Sequence, residues 1–409
     1  MNALTIRHKL VLIILFSMLM SCSGGESGTG YQQGQTTVGE ITGFGSIYVN
    51  GTHYQTTTAE VKIDGVTSDE SNLAVGMVVK VVGTVNADRT EGTASQILMS
   101  TGVEGLVFEN NYLVDGKINV MGQVINITND THFNSEVAAI TTFEQIVAND
   151  TVVEVHGFTS GQGEFFATMI NVVESGGTAS EVKIRGVIQG STGTTPGSTF
   201  MLGGITVQFD DTTNLEGGLQ MTDLVNGRYV AVESASFSGD MAQVLATKIE
   251  PADQNEAEGT NYELEGIVTD ITNIDSNEFT LNGQHIVFDI TTQFEGGTTT
   301  DIQLDTELEV EGVVQSDGSI LAHQITFHME SDMEVEGTVT NIGSNTLTID
   351  DSIMPVSVTV NELTSYEDDV DELNHTFHFS QITLGMQLRV KYFVNSDMVN
   401  IATSVKRTN

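Results

Sequence analysis

GEITGFGSIYVNGTHYQTTTAEVKIDG, residues 39–65, alternates apolar and polar side chains on both sides of Asn50-Gly51. Alternation of period two is the pattern of half-buried strands. Asn-Gly supplies the two positive-φ residues that a two-residue type I′ turn requires. The stretch therefore reads as a Gly-bearing strand followed by a tight hairpin. LAVGMVVKVVG at 73–83 and TASQILM at 93–99 add two more alternating runs and complete a unit of five strands.

The same order recurs four more times. First strands carry Gly39, Gly105, Gly186, Gly266 and Gly337 in the strings VGEI, EGLV, RGVI, EGIV and EGTV. Hairpins follow at IYVNG (47–51), YLVDG (112–116), FMLGG (200–204), FTLNG (279–283) and LTIDD (347–351), the last a weaker match to the turn requirement. Fourth strands read DTVVEVHG, NGRYVAVES, DTELEVEG and LGMQLRVKY, and the closing strands FATMINV, ATKIE, LAHQITF and IATSVK. Five short strands joined by tight turns suit a small closed barrel of the OB type, which leaves no exposed edge. The variable stretch between third and fourth strands, such as 135–147, leaves room for a short helix. The expected class is all-β, five tandem OB-like barrels at 37–102, 103–178, 179–256, 257–330 and 331–409. Polar joints at 175–180, 251–259 and 329–333 divide the copies, so the expectation is five beads on a string rather than a solenoid with a shared core.

The first unit resembles the bacterial family catalogued as domain of unknown function 5666, on Gly43-Phe44-Gly45-Ser46, the VNG at 49–51, and Val75-Gly76-Met77 with its following strand. Later copies keep the hairpin and fourth strand but lose GFGS, and Ser234 and Tyr392 replace the strand-ending glycine of Gly83, Gly157 and Gly312. The resemblance implies an OB-like β domain in exported, often lipidated envelope proteins, with no activity to carry over.

Ahead of the repeats, Arg7-His8-Lys9 precedes an apolar run from Leu10 to Met20, too short to span a bilayer. Leu19-Met20-Ser21-Cys22 resembles the lipobox of bacterial lipoproteins, which implies a signal peptide at 1–21 and a lipid on Cys22 as first mature residue. The alternative is an ordinary secretory signal with an incidental Cys. Cys22 is the sole cysteine, so no intramolecular disulfide forms. Residues 22–36 read as a lipidated flexible tether, polar and Gly-rich. Ser23, where an inner-membrane retention signal would place Asp, points to the outer membrane of the cell envelope, face unspecified.

Fourteen Lys and Arg stand against 55 Asp and Glu, a formal charge of −41. Phosphate contacts rely on clustered cations, so nucleic acid is not an expected partner. Solubility accounts for the acidity before divalent-cation capture or docking to a cationic partner does, because net charge speaks to solubility before chemistry. The densest acidic run, 368–372, lacks the glycine and ligand alternation of a calcium loop and reads as a solvated loop. His323 and His328, like His375 and His378, have odd spacings that place each pair on opposite faces of a strand, so neither makes a metal site without help from elsewhere. No nucleophile elbow or HExxH occurs, and the Gly43-Phe44-Gly45 string lacks the third glycine of a dinucleotide loop. No catalytic residue, metal ligand or cofactor is assigned. Cross-strand pairing sets Tyr48 opposite His53 and Thr280 opposite His285, facing outward if Ile47–Tyr54 and Phe279–Ile286 face the core. That outward face is where OB barrels bind oligosaccharides, so these four residues are the candidate ligand contacts. Two ordinary solvent-facing pairs are the alternative. The functional expectation is a non-enzymatic, membrane-anchored binding or scaffolding array for an envelope protein or glycan. A spacer without a ligand and an acidic cation or cationic-peptide binder are the competing readings.

Overall fold

The structure is a computed structural model and describes residues 33–235, 243–252, 256–361, 363–368, 370, 377–395 and 398–408. Residues 1–21 and Cys22 lie outside the described residues. Among those described, no helix is long and apolar enough to cross a membrane.

The chain is all-β and its repeats are small barrel-like sheets. In repeat 1 the first strand (Gln33–Phe44) pairs antiparallel with Ile47–Val49 and with Val78–Val85. Thr52–Gln55 then lies parallel to the closing strand Glu91–Met99, which returns antiparallel to Val78–Val85. This closes the ring in the order first, second, third, fifth, fourth. The same ring recurs in repeats 2, 4 and 5. Repeat 3 splits instead into two sheets, and among the described residues the bridge Gln189↔Met201 joins Thr199–Leu202 and Ile205–Gln208 to its first-strand end. Among the described residues each repeat carries one 3-10 turn between third and fourth strands, at Glu70–Asn72, Phe143–Gln145, Met221–Asp223, Thr299–Asp301 and Phe379–Gln381.

Turn chemistry sets the hairpins. Asn50-Gly51 and Asn282-Gly283 have φ of 47°, 72°, 48° and 80°, both residues positive as a type I′ turn demands. In repeats 1 and 4 the first-strand glycine answers to the same turn. A Cβ on Gly39 would fall 1.8 Å from Asn50 Oδ1, and one on Gly266 2.1 Å from Asn282 Nδ2. The vacated space lets Asn282 Nδ2 donate to the Glu265 carbonyl at 3.1 Å while its Oδ1 accepts from Ile267 N–H at 3.2 Å. The expected hairpin at YLVDG is displaced. Tyr112–Asp115 forms one helical turn with Gly116 as its left-handed cap, and the hairpin turn is Met121-Gly122. Asp-Gly serves a helix end as readily as a hairpin, since both use positive φ at the glycine. In repeat 5 a four-residue loop, 351–354, joins Thr346–Asp350 to Pro355–Thr359. Repeat 1 gains an extra hairpin, Glu60–Ile63 with Val66–Ser68, turning at Asp64-Gly65.

The beads-on-a-string expectation is overturned. Repeats 1 and 4 share one sheet through parallel pairing of Gln35, Thr36, Thr37 and Val38 with Asn261, Tyr262, Glu263 and Leu264. Gln33–Thr36 therefore belong to a strand, which corrects the end of the expected tether. Val38 packs into the core of repeat 4, Met169 of repeat 2 into that of repeat 1, and repeats 2 and 3 share one apolar cluster. Unpaired strand edges and apolar residues left over by small barrels are satisfied by neighbouring barrels. The run expected as a solvated loop begins in a strand, Ser365–Asp368, where Asp368 holds Arg407 at 3.0 Å; Asp369, Asp371 and Glu372 lie outside the described residues.

Candidate functional site

The predicted register is found: Tyr48↔His53 over buried Ile47↔Tyr54, and Thr280↔His285 over buried Phe279↔Ile286. The two pairs differ in surroundings. His285 is exposed, with Nε2 3.5 Å from Glu278. Tyr48 is half-buried. Its ring lies between His53, at 4.5 Å and 13°, and His378 of repeat 5, at 4.3 Å and 9°. Tyr366 packs against His378 at 4.4 Å, tilted by 46°. His53 Nε2 donates to the Gly45 carbonyl at 2.7 Å, and its Nδ1 lies 3.1 Å from Glu91. Burial lowers the His378 pKa to about 4, with His53 contributing, so this imidazole is neutral at physiological pH. Burial, then Glu91, raises the Tyr48 phenol. The stack walls a cleft of about 350 Å³ between repeats 1 and 5, completed by Phe44, Ser46, Glu70 and Gln381. Because His53 and His378 take both faces of Tyr48, the cleft offers ring edges and the polar groups of Ser46, Glu70, Ser380 and Gln381, which suit a polar, hydrogen-bonding ligand group. Thr280 and His285 belong to another hairpin and are not part of it; His375 lies outside the described residues.

A second polar constellation runs along the seam of repeats 1 and 4. Glu263 pairs with Glu311 and Glu265 with Glu309 across antiparallel strands, an arrangement of like charges that open solvent would disfavour. Repeat 1 covers it. Thr37 and Gln35 side chains donate to Glu263, and the Glu40 N–H donates to Glu265 at 2.6 Å. Burial pushes the Glu263 carboxyl well above the ordinary range, and Glu265 to about 8, against the pull of His328. Glu307 rises to about 7 for the same reason. Burial works against the charge of His328, but Glu309, Glu265 and Glu307 around it raise its pKa to about 10. Glu265, Glu307 and His328 offer ligand atoms within 4.8 Å of one another, as do Glu263, Glu309 and Glu311. At neutral pH, protons retained by Glu263 and Glu265 and the charge of His328 offset part of the negative charge of the seam. His328 thus finds, on neighbouring strands, the partners its own strand did not supply. The acids alternating in YELEG and TELEVEG were the sequence signal: two adjacent strands with one acidic face call for a cover.

A third junction joins three repeats. His132 of repeat 2 sits 2.7 Å from Glu367 of repeat 5 and 3.3 Å from Glu40 of repeat 1. Burial opposes its charge, yet Glu367 and Glu40 raise its pKa to about 10, and His132 holds the Glu367 carboxyl far below the usual carboxylate range despite burial.

A family model described as Domain of unknown function (DUF5666) matches residues 37–97, 104–171, 185–250, 265–326 and 336–406. A search of curated proteins found no match. The solved structure "drosophila Unr CSD456" is similar at 14% identity over 55% of this chain and 96% of that one, with a TM-score of 0.13 that carries no argument.

Proposed function

The chain belongs to the DUF5666 family, and we propose that it is a non-enzymatic cell-envelope lipoprotein, anchored through Cys22, whose docked OB-like barrels form a binding or scaffolding module. The observation that carries the reading is the Tyr48–His378 stack. It builds a cleft from two repeats that are some 330 residues apart in sequence, which a chain of independent spacers has no reason to do. The closed ring order supports an OB-like barrel, and the aromatic cleft on its hairpin face supports ligand contact there. An envelope glycan or protein is the partner class, because the anchor would hold the module at a membrane.

Affinity capture from solubilised envelopes, with residues 33–409 as bait, tests this reading. A specific glycan or protein retained by the native chain and lost with Tyr48→Ala and His378→Ala supports it. Retention that is unchanged by either substitution, or none above control, contradicts it and leaves the spacer.

A cation-binding reading is favoured by one observation, the two carboxylate clusters of the repeat 1–4 seam. Calcium and zinc titration followed by calorimetry tests it. Heat of binding abolished by Glu265→Gln supports the reading; absence of any heat removes it.

A further inference from the structure

Repeats 1 to 4 meet around a separate cavity of about 350 Å³, at the small end of ligand pockets. Val38, Leu264 and Phe158 give it apolar wall, Tyr229 and Tyr262 aromatic wall, and Arg185 its positive charge. Arg185 lies two residues from Lys183 on the first strand of repeat 3, Val182–Val187, and so shares its face. The two cations are treated differently. Lys183 is held by Asp64 at 2.9 Å and Glu104 at 3.0 Å, and these carboxylates keep its ammonium charged against burial.

Among the described residues the Arg185 guanidinium has no hydrogen bond or ion pair, and its Nε is buried without a partner. Every other described lysine and arginine side chain is engaged. In a chain with 55 acids and 14 basic residues, a cation left unpaired in a cavity wall is an anomaly of supply. Arg185 is half-exposed, so it is the Nε alone that is stranded, and a buried donor of a charged group without an acceptor is energetically unfavourable. Both facts are explained if the acceptor is carried by a ligand.

The surrounding charges define that ligand. Lys80 in the wall is already paired with Glu256. Glu250, also in the wall, lies 3.5 Å from Lys248, which it shares with Glu233. One guanidinium is thus free and acid is in excess nearby, so a single negative charge fits and a phosphate dianion is disfavoured. Guanidinium geometry matches a carboxylate bidentately. The apolar and aromatic walls then require an apolar body.

We propose that this cavity binds a small organic monocarboxylate, its carboxylate on Arg185 and its apolar body between Val38, Leu264 and the two tyrosines. The site lies away from the Tyr48 cleft and goes beyond the function proposed above.

The test is calorimetric or NMR titration of residues 33–409 with 3-phenylpropionate, octanoate, 3-phenylpropan-1-ol and inorganic phosphate. Saturable binding of a carboxylate is expected, at least tenfold tighter than the alcohol, with no phosphate binding. Arg185→Gln should weaken it at least tenfold without lowering the unfolding temperature, and Tyr48→Ala should leave it unchanged. Should Arg185→Gln fail to fold, Ser100→Trp, at an exposed wall position, fills the space and should abolish binding. No binding of either carboxylate, equal binding by Arg185→Gln, retained binding by a folded Ser100→Trp, or phosphate binding as tight as carboxylate would each overturn the proposal.

Discussion

Thr37 of repeat 1 and Glu263 of repeat 4 are partners in a parallel strand ladder, and the Thr37 hydroxyl donates to the Glu263 carboxyl at 3.0 Å. The two residues are 226 positions apart. Tyr54, whose hydroxyl lies 2.7 Å from the Thr37 oxygen, continues the chain of hydrogen bonds into the core of repeat 1. Burial raises the Tyr54 phenol, with Glu263 adding to the effect, so it stays a donor at every physiological pH.

Thr37→Val removes the hydroxyl and leaves the Glu263 carboxyl and the Tyr54 phenol each short of a partner. Denaturant unfolding should show a loss of about 1–3 kcal/mol, the usual penalty for stranding buried polar groups. Hydrogen exchange should accelerate first at 35–38 and 261–264. A loss confined to repeat 5 would be the wrong outcome.

The buried titrating groups predict how stability follows pH. Folded His132 and His328 release their protons near 10, against an ordinary 6.5; Glu265 and Glu307 release theirs near 8 and 7, against 4.5. In each case the folded state holds protons that the unfolded chain has lost, so stability falls as pH rises. The histidine contribution is complete below 6.5 and gone by about 10. The carboxyl contribution is complete below 4.5 and gone above about 8. His378 acts oppositely: its depressed pKa of about 4 adds stability above 6.5 that is lost as pH falls towards 4. Thermal unfolding should therefore show a steady decline of Tm from pH 7 to 10. Glu265→Gln should flatten the first part of that decline, and a Tm rising over this range would contradict the assignment.

Gly39→Ala and Gly186→Ala make a matched pair, since both glycines hold the same place in their repeats. At Gly39 the new methyl meets Asn50 Oδ1 and Glu265 Oε2, whereas at Gly186 its nearest neighbour, Leu202 Cδ2, is 3.8 Å away. Equilibrium unfolding should record a loss of about 1–3 kcal/mol for the first, as for overpacked sites. The second should be neutral or slightly stabilising, because alanine restricts the unfolded chain. Equal losses would mean the hairpin asparagine does not set the glycine requirement.

Cys22→Ser tests the anchor. Metabolic labelling with a radioactive fatty acid should mark the native chain and not the variant, and the variant should leave the membrane fraction. Labelling that persists in the variant would rule out Cys22 as the attachment point.

The local structure was legible where one residue pair decides it. Asn50-Gly51 and Asn282-Gly283 gave both hairpins and, through period-two alternation, the register that pairs Tyr48 with His53 and Thr280 with His285. Reading failed where the same dipeptide serves two geometries, as Asp115-Gly116 caps a helical turn. Asp64-Gly65, which builds the extra hairpin, carries the usual turn signal, both residues at positive φ. Docking was the larger omission. His378 covers Tyr48, and Gln35 and Thr37 cover Glu263, from repeats hundreds of residues away, beyond any local period. The unpaired Arg185 could not be foreseen, because only the folded arrangement shows which acids fail to reach it.

Small-angle scattering of residues 33–409 measures the central claim, that the five repeats form one docked body able to build sites between barrels. A compact chain of this length has a radius of gyration of about 21 Å. The account predicts a value near that at pH 7, with the single-peaked distance distribution of a globular particle. A value half as large again, with a long tail of distances, would mean that the barrels are strung out, and the inter-repeat sites would fall with the docking.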